Sequence, residues 1–248
     1  MGQSQSLSQP PKLRDIRRKH AVALFVDFDG TLVEIAPGPE EIEVPRDLAK
    51  ALESLADRVD NRFAVVSGRS RSDIKRHLSN PAIAVGGSHG AEMVSSDGSP
   101  LGSLAQALPR EVLNALAEYA DREGIHFEAK AHGGALHYRS KPERESDAVQ
   151  FAKDVASTYD LAVKTGKCVV ELVHRGADKG SAVRTFMQSD VFSGAKPVFI
   201  GDDVTDEDGF AACKELGGFG ICVGNRDATA AEYSLPNVKG VYEWLELF

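Results

Sequence analysis

The stretch Ala21-Val22-Ala23-Leu24-Phe25-Val26-Asp27-Phe28-Asp29-Gly30-Thr31-Leu32 determines the fold. An apolar run this short, ended by Asp and Gly, is typical of a buried strand in a parallel sheet. The strand delivers Asp27 and Asp29 to its carboxyl end, where ligands bind in open α/β sheets. Two neighbouring acids repel each other unless a cation or a shared proton lies between them, and such oxygen ligands suit Mg²⁺ with substrate phosphate. An aspartate can also attack phosphorus and carry an aspartyl-phosphate.

A second acidic cluster, Gly201-Asp202-Asp203-Val204-Thr205-Asp206-Glu207-Asp208, follows another apolar run, Val198-Phe199-Ile200. Asp and Gly after a single strand are ordinary turn residues, so either cluster alone would indicate only a turn. Two buried strands that each end in clustered carboxylates would be costly without a shared metal. We therefore expect both clusters to meet at one edge of the sheet.

Composition narrows the class of protein. The 248 residues allow one large domain, or one domain with a small insert, and 42% apolar and 27% charged residues are typical of a globular protein. A net charge of −8 argues against non-specific binding to nucleic acid or acidic membranes. Cys168, Cys213 and Cys222 show neither metal-site nor disulfide spacing, which indicates reduced thiols. No apolar run is as long as a membrane span. The reduced thiols favour a cytoplasmic protein, and we expect a monomer.

The organisation along the chain separates a core from an insert. Residues 1–20 are rich in Ser, Gln and Pro and then basic, which predicts a disordered N-terminal tail. Strand and helix patterns alternate over residues 21–102 and 176–248, which predicts a parallel doubly wound sheet. Over residues 103–175 the order becomes helix, two strands, helix, two strands. That order predicts an inserted α+β cap with an antiparallel sheet, its first strand pair joined around Gly133-Gly134.

Four motifs together carry a resemblance. Asp-x-Asp-Gly-Thr follows the first strand, Ser67 the second, Lys179 precedes a later helix, and Asp202 and Asp203 form a distal Gly-Asp-Asp. This pattern resembles that of the haloacid dehalogenase superfamily of phosphotransferases, from about residue 21 to the C-terminus. The resemblance implies a Rossmann-like α/β core, a doubly wound parallel sheet, with an inserted cap of the C2 type.

The resemblance also implies roles for the acidic residues. Asp27 would be the nucleophile and Asp29, two residues on, the general acid/base. Mg²⁺ would be held by Asp27, the carbonyl of Asp29, and Asp202. Asp203 and Asp206 have two open interpretations, since either could orient a ligand or Lys179, or cap the following helix.

Phosphate contacts are expected from the ends of two core segments. Ser67 and Gly68 could cradle phosphate with a hydroxyl and backbone N–H groups, although Ser is also a good helix N-cap. Arg69 could reach phosphate or sugar, or be a solvated surface arginine. Lys179 would place positive charge beside the transferring phosphoryl group, whereas most lysines are simply exposed.

The insert carries the substrate clue. Glu128-x-Lys130, His137-Tyr138-Arg139 and Glu171 resemble the sugar-binding signature of the trehalose-6-phosphate phosphatase family, as does the segment containing His89 and Glu92. The resemblance implies sugar contacts from Glu128, Lys130, Arg139, Glu171 and His89, while His137 and Tyr138 are expected to be structural. Glu128 and Lys130 share a strand face, so a solvated ion pair is the alternative.

The sequence therefore predicts a Mg²⁺-dependent phosphatase that acts on trehalose 6-phosphate, with a cap that closes over the sugar. Two alternatives stay open. One keeps the chemistry with another sugar phosphate, such as sucrose phosphate or mannosyl-3-phosphoglycerate. The other is a catalytically silent regulatory module, against which the intact Asp27, Asp29, Lys179 and Asp202 argue, because a binding module needs no nucleophile.

Overall fold

The computed structural model describes residues 7–36, 41–102, 107–166, 168–226 and 228–248. The described chain forms two compact units, one within residues 1–103 and 178–248 and the other within residues 104–177. In chain order the elements are α1 (Leu13–Arg17), β1 (Val22–Val26), α2 (Leu48–Arg58), β2 (Phe63–Val66), α3 (Arg71–His77), β3 (Ala84–Gly87), β4 (Glu92–Val94), α4 (Arg110–Glu123), β5 (His126–Lys130), β6 (Gly133–His137), α5 (Glu145–Tyr159), β7 (Leu161–Gly166), β8 (Val169–His174), α6 (Lys179–Gln188), β9 (Lys196–Gly201), α7 (Glu207–Glu215), β10 (Phe219–Val223), β11 (Tyr233–Leu235) and α8 (Val238–Leu245).

The first unit contains a seven-stranded sheet in the order β11-β10-β9-β1-β2-β3-β4. All neighbouring strands are parallel except β3 and β4. Strand β1 lies between β2 and β9, and all five of its residues are buried, as its apolar run predicts. Because β1, β2 and β9 are parallel neighbours, their carboxyl ends meet at one edge of the sheet.

Apolar layers cover both faces of this sheet. Val22, Leu24 and Val26 point into one layer, which includes residues of α2, α3 and α8. The alternate residues Ala23 and Phe25 point into the other, which includes residues of α6 and α7. Alternation of side chains along a strand explains why a centrally buried strand is apolar at every position.

The N-terminal segment is more ordered than its composition suggests. Residues Leu13–Arg17 form a helix, with Leu13 and Ile16 buried in the first apolar layer. The indole N–H of Trp244 donates to the carbonyl of Pro11 at 2.9 Å. The predicted disordered tail is therefore corrected for residues 7–20, because apolar side chains three positions apart anchor this short helix; the part of the prediction for residues 1–6 lies outside the described residues.

The second unit has a four-stranded antiparallel sheet in the order β5-β6-β8-β7. One face packs on α4 and α5 through buried residues that include Leu136, Val170 and Leu172. Gly133 and Gly134 lie inside β6, so the prediction that they form the strand connection is wrong. A Cβ on Gly134 would lie 2.7 Å from Leu116 Cδ1, so this glycine permits close packing of helix on sheet and not a turn.

None of the helices in the described ranges is long and apolar enough to cross a membrane.

Candidate active site

The edge where three parallel strands end collects the predicted polar residues of the first unit. Asp27 follows β1, Ser67 follows β2 and Asp202 follows β9. The backbone N–H of Asp27 donates to the carbonyl of Ile200 at 2.9 Å, which extends the strand pairing past the strand end. Asp27 is 4% exposed and Ser67 only 1%, so both side chains lie in an environment that excludes most water.

Three carboxylates from distant segments converge at this edge. Asp27, Asp202 and Asp206 each offer an oxygen, and these oxygens all lie within 4.8 Å of one another. The sequence argument placed Asp27 and Asp202 together and left Asp206 between two interpretations. Asp206 is fully buried and joins the cluster directly.

Lys179 is the cation of the cluster. It is the first residue of α6, is 2% exposed, and places Nζ 2.9 Å from Asp27 Oδ1 and 2.6 Å from Asp206 Oδ1. Burial alone would lower its pKa, but the carboxylates of Asp206 and Asp27 outweigh burial and raise the pKa above its ordinary value. Lys179 therefore stays charged at neutral pH, and the alternative of an exposed lysine is excluded.

Without a further cation, the ionised forms of the clustered carboxylates are unfavourable. Burial raises the pKa of Asp27 well above its ordinary value, and Lys179 only partly offsets burial and the neighbouring carboxylates. Burial, together with the charge of Asp206, raises the pKa of Asp202 to about 6. Three carboxylates and one ammonium leave two uncompensated negative charges in the cluster.

Asp203 and Asp206, in the loop after β9, each accept specific hydrogen bonds. Asp206 accepts from Lys179 through Oδ1 and from the backbone N–H of Asp203 through Oδ2, at 2.8 Å. Asp203 Oδ1 accepts from the N–H of Val204 at 2.7 Å and caps the short turn Val204–Asp206. Asp206 therefore orients Lys179 and caps the loop, whereas Asp203 acts only as a cap among the contacts described.

The side chain of Asp29 lies outside the carboxylate cluster. Its two oxygens accept from Arg69, at 2.6 Å from Nε and 2.8 Å from the terminal nitrogen NH2. The other terminal nitrogen of Arg69 donates to Asp73 at 2.8 Å, and the guanidinium lies over the Phe28 ring, 5.7 Å from its centroid. Sequence reasoning missed Asp73 and Phe28; Arg69 lies before the N-cap of α3, so its four-residue spacing from Asp73 is not that of a helical pair.

The Ser67-Gly68 segment is shaped by close contacts. Ser67 Oγ accepts from the N–H of Arg69 at 3.2 Å, whereas Ser70 is the N-cap of α3, so the N-cap alternative for Ser67 is excluded. A Cβ on Gly68 would lie 2.8 Å from the ring of His89, so a larger residue here would require the ring to move. His89 has a left-handed backbone, with φ 56°, and its N–H donates to the carbonyl of Ser67 at 2.8 Å. The structure therefore brings His89 beside Gly68, within the first unit.

The predicted sugar contacts lie in the second unit, on the sheet face opposite its helices. Glu128 and Lys130 of β5 share this face with Glu171 of β8, and Lys130 Nζ lies 3.2 Å from Glu171 Oε2. Glu128 contacts His137 Nε2 at 2.8 Å. Arg139 lies beyond the end of β6 and is exposed.

Sequence reasoning missed one cation on this face. Lys164 of β7 lies directly opposite Glu171 in the strand register. The two-residue period of β7 was the available signal, because it places Ala162 and Lys164 on one face and the apolar Leu161 and Val163 on the other.

Comparison with known proteins identifies the family. A sequence model described as trehalose-phosphatase matches residues 25–239. The chain belongs to the trehalose-phosphatase family. Among curated proteins similar to this family member, the trehalose-6-phosphate phosphatase of Escherichia coli (strain K12) is 38% identical over 228 residues, covering 91% of this chain and 85% of that protein. The predicted resemblance and the predicted class of enzyme, a phosphatase, are confirmed.

Solved structures share the fold of this trehalose-phosphatase family member. The C-terminal domain of trehalose-6-phosphate phosphatase from C. albicans has a TM-score of 0.81 at 21% identity, covering 97% of both chains. The C-terminal domain of a trehalose synthase regulatory protein from Candida albicans has a TM-score of 0.75 at 15% identity, covering 96% of this chain and 99% of that chain. These likenesses concern the fold alone, and they confirm the predicted fold class.

The predicted resemblance implies a divalent metal ion, and the residues of the acidic cluster fit one. The oxygens of Asp27, Asp202 and Asp206 are close enough to surround a single ion. The two uncompensated negative charges of the cluster equal the charge that a divalent cation neutralises. A donor set made only of oxygens suits a hard cation.

Proposed function

We propose that this protein hydrolyses trehalose 6-phosphate to trehalose and inorganic phosphate, with Mg²⁺ as the metal and an aspartyl-phosphate on Asp27 as the intermediate. The observation that carries the proposal is the convergence of Asp27, Asp202, Asp206 and Lys179 at one sheet edge, in a member of the trehalose-phosphatase family. This arrangement contains a nucleophile, a metal site and a fixed positive charge, which phosphoryl transfer requires.

The first half-reaction transfers the phosphoryl group to the protein. A carboxylate oxygen of Asp27 attacks phosphorus, and the bond between phosphorus and the 6-oxygen of the sugar breaks. Lys179 stabilises the charge on the phosphoryl oxygens, and Ser67 and Gly68 contact the phosphate. Asp27, Asp202 and the carbonyl of Asp29 would hold Mg²⁺, which when bound adds positive charge at the same oxygens.

Proton transfer falls to Asp29. In its protonated form it gives its carboxyl proton to the departing sugar oxygen, and it regains a proton from the water that hydrolyses the aspartyl-phosphate and frees Asp27. Because Arg69 occupies both carboxylate oxygens of Asp29, at least one oxygen must exchange Arg69 for the sugar oxygen before a proton is donated. That exchange releases one Arg69 nitrogen from Asp29, and we propose that this nitrogen then contacts the substrate.

Sugar recognition is proposed for the polar sheet face of the second unit, and His89 stays a proposed substrate contact of the first unit. Glu128, Lys130 and Glu171 present charged groups that form strong hydrogen bonds with hydroxyls. The Lys130–Glu171 pair at 3.2 Å supports a preorganised arrangement of donor and acceptor, although a simple ion pair has the same geometry. Arg139 is proposed as a further contact from the exposed segment after β6.

Phosphate release from a panel of sugar phosphates tests the proposal. Trehalose 6-phosphate, sucrose phosphate and mannosyl-3-phosphoglycerate are compared with and without Mg²⁺. Preference for trehalose 6-phosphate that depends on Mg²⁺ is the expected result. Equal rates on all three sugar phosphates would contradict trehalose 6-phosphate as the specific substrate. No turnover of any ester would favour the regulatory module, an alternative kept because a protein named as regulatory shares this fold.

Replacement of the nucleophile tests the mechanism. Asp27→Asn is expected to abolish turnover while trehalose 6-phosphate still binds, because the amide keeps the size of the side chain but cannot attack phosphorus. Residual turnover above about one thousandth of the wild-type rate would exclude Asp27 as the nucleophile.

The cytoplasmic location and the monomeric state stay predictions. Analytical ultracentrifugation would test the monomeric state.

A further inference from the structure

The loop that follows β10 contacts the backbone of Asp202. A terminal nitrogen of Arg226 donates to the carbonyl oxygen of Asp202. The other terminal nitrogen lies 3.6 Å from Glu207 Oε1, and the side chains of Arg226 and Glu207 are 23% and 24% exposed. This partly buried pair links the start of α7 to the loop after β10, and the sequence motifs predict no role for either residue.

Glu207 anchors the pair at a second point. Its Oε2 accepts from the backbone N–H of Ala230 at 2.6 Å. Glu207 is also the first residue of α7, so its backbone is fixed by the helix. Arg226 therefore lies at ion-pair distance from an anchored carboxylate on one side and donates a hydrogen bond to the Asp202 carbonyl on the other.

The carboxylate of Asp202 contacts two residues that follow β1. A Cβ on Gly30 would lie 2.1 Å from Asp202 Oδ2, so the carboxylate packs directly on the glycine backbone. The hydroxyl of the fully buried Thr31 donates to Asp202 Oδ1 at 3.4 Å. Because Gly30 and Thr31 both contact the carboxylate, a shift of the Asp202 backbone would change these contacts and move the carboxylate oxygens, and Arg226 holds that backbone through its carbonyl.

We propose that Arg226 and Glu207 are positioning residues for Asp202, and that together they determine the affinity of the acidic cluster for a divalent cation. The inference rests on the proposed metal site. The charges of Arg226 and Glu207 cancel, so the pair acts through geometry and not through its net charge. Residues that orient metal ligands commonly change metal affinity by 10- to 100-fold when replaced.

Calorimetric titration of the full chain with Mg²⁺, without substrate, tests the proposal. Arg226→Met/Glu207→Gln keeps the net charge of the pair at zero, keeps an acceptor for the Ala230 N–H and removes the donor to Asp202. We expect its Kd for Mg²⁺ to rise by about tenfold. Arg226→Met alone should also weaken binding, although the uncompensated Glu207 carboxylate attracts the cation.

An electrostatic role makes the opposite predictions. It requires tighter Mg²⁺ binding by Arg226→Met and an unchanged Kd for the double variant, and either result would overturn the proposal. Arg184→Met is the matched control, since Arg184 forms an exposed ion pair with Glu215 at 2.7 Å, and its Kd should equal the wild-type value. At saturating Mg²⁺ the double variant should recover kcat to within twofold, and a lasting loss would place the pair in the chemical step.

Two further measurements keep the test decisive. If the double variant unfolds in the absence of metal, Arg226→Lys is tested in its place, because lysine keeps the positive charge but cannot contact Glu207 and the Asp202 carbonyl with two nitrogens at once. A geometric role predicts that its Kd for Mg²⁺ rises, and an electrostatic role predicts that its Kd is unchanged. If the wild-type protein binds Mg²⁺ but hydrolyses no ester, the proposed function is refuted, while the effect of Arg226 and Glu207 on Mg²⁺ affinity can still be measured. If the wild-type protein binds no Mg²⁺, the positioning role of Arg226 and Glu207 is refuted as well.

Discussion

Asp202→Asn should stabilise the protein when no metal is bound. The pKa of Asp202 is about 6 in the folded protein against an ordinary value of 3.8, and burial is the main cause. Each pH unit of difference corresponds to about 1.4 kcal/mol, so ionised Asp202 lowers the free energy of unfolding by roughly 3 kcal/mol at pH 7.5. Asparagine has nearly the same shape, and its oxygen can still accept from Thr31, so the replacement removes the charge and keeps the packing.

The sign of the pH dependence follows from the same difference. Because the folded pKa is raised, the folded state binds more protons than the unfolded state between pH 3.8 and about 6. For this group the stability of metal-free wild-type protein therefore rises as the pH falls from about 6 towards 4. The advantage of Asp202→Asn should accordingly be largest above pH 6 and disappear near pH 4.

Urea unfolding at pH 7.5 and at pH 4, in EDTA and in Mg²⁺, measures the effect. We expect Asp202→Asn to exceed the wild type by about 3 kcal/mol in EDTA at pH 7.5, and Mg²⁺ to stabilise only the wild type. Asp203→Asn is the matched control, since it removes a charge one residue away on an exposed side chain, and it should change stability by less than about 0.5 kcal/mol. Asp202→Asn that is less stable than the wild type in EDTA at pH 7.5 would refute the electrostatic account of the cluster.

Three further predictions concern the two units. Lys179→Met should lower the free energy of unfolding by about 3–5 kcal/mol and abolish turnover, because it leaves buried carboxylates without their ammonium; urea unfolding and a phosphate-release assay measure this. Gly30→Ala should weaken Mg²⁺ binding in calorimetry by more than tenfold, since its Cβ would overlap Asp202 and its φ of 75° disfavours other residues, and wild-type affinity would contradict the packing. Glu171→Gln, which disrupts the pair with Lys130, should raise KM for trehalose 6-phosphate about tenfold and leave p-nitrophenyl phosphate hydrolysis unchanged, whereas equal losses on both substrates would indicate a structural role.

The central sheet was predictable because its signals are local. Strands β1 and β9 are apolar at nearly every position, since both faces of each strand are covered, and each ends in acids. Parallel strands that end at one edge must bring those acids together, so the closeness of Asp27 and Asp202 followed from topology. The antiparallel sheet of the second unit was also predicted from local strand patterns, although Gly133 and Gly134 were assigned to the connection before β6 and not to β6 itself.

Other features had no readable pattern in the sequence. Strands β4 and β11 have three residues each, too few to show a period. Arg226 contacts a backbone carbonyl, and a carbonyl has no residue type by which a partner could be recognised. Gly133 and Gly134 carry the composition of a turn, but their place in β6 is determined by the helix and strand that pack against them. Each of these depends on contacts between segments distant in the chain.

The energetics of the acidic cluster bear on the choice between an enzyme and a regulatory module. The fold is shared with a protein named as regulatory at 15% identity, so the fold does not distinguish the two. Burial raises the pKa of Asp202, so its ionised form destabilises the metal-free fold, whereas neutral residues of the same size would pack there without that cost; a module that only binds partners does not need such a cluster. A divalent cation removes that cost and at the same time supplies the charge that phosphoryl transfer needs. The stability gain expected for Asp202→Asn in EDTA is therefore also evidence on function: its presence, together with lost Mg²⁺ stabilisation, identifies a site maintained for a cation.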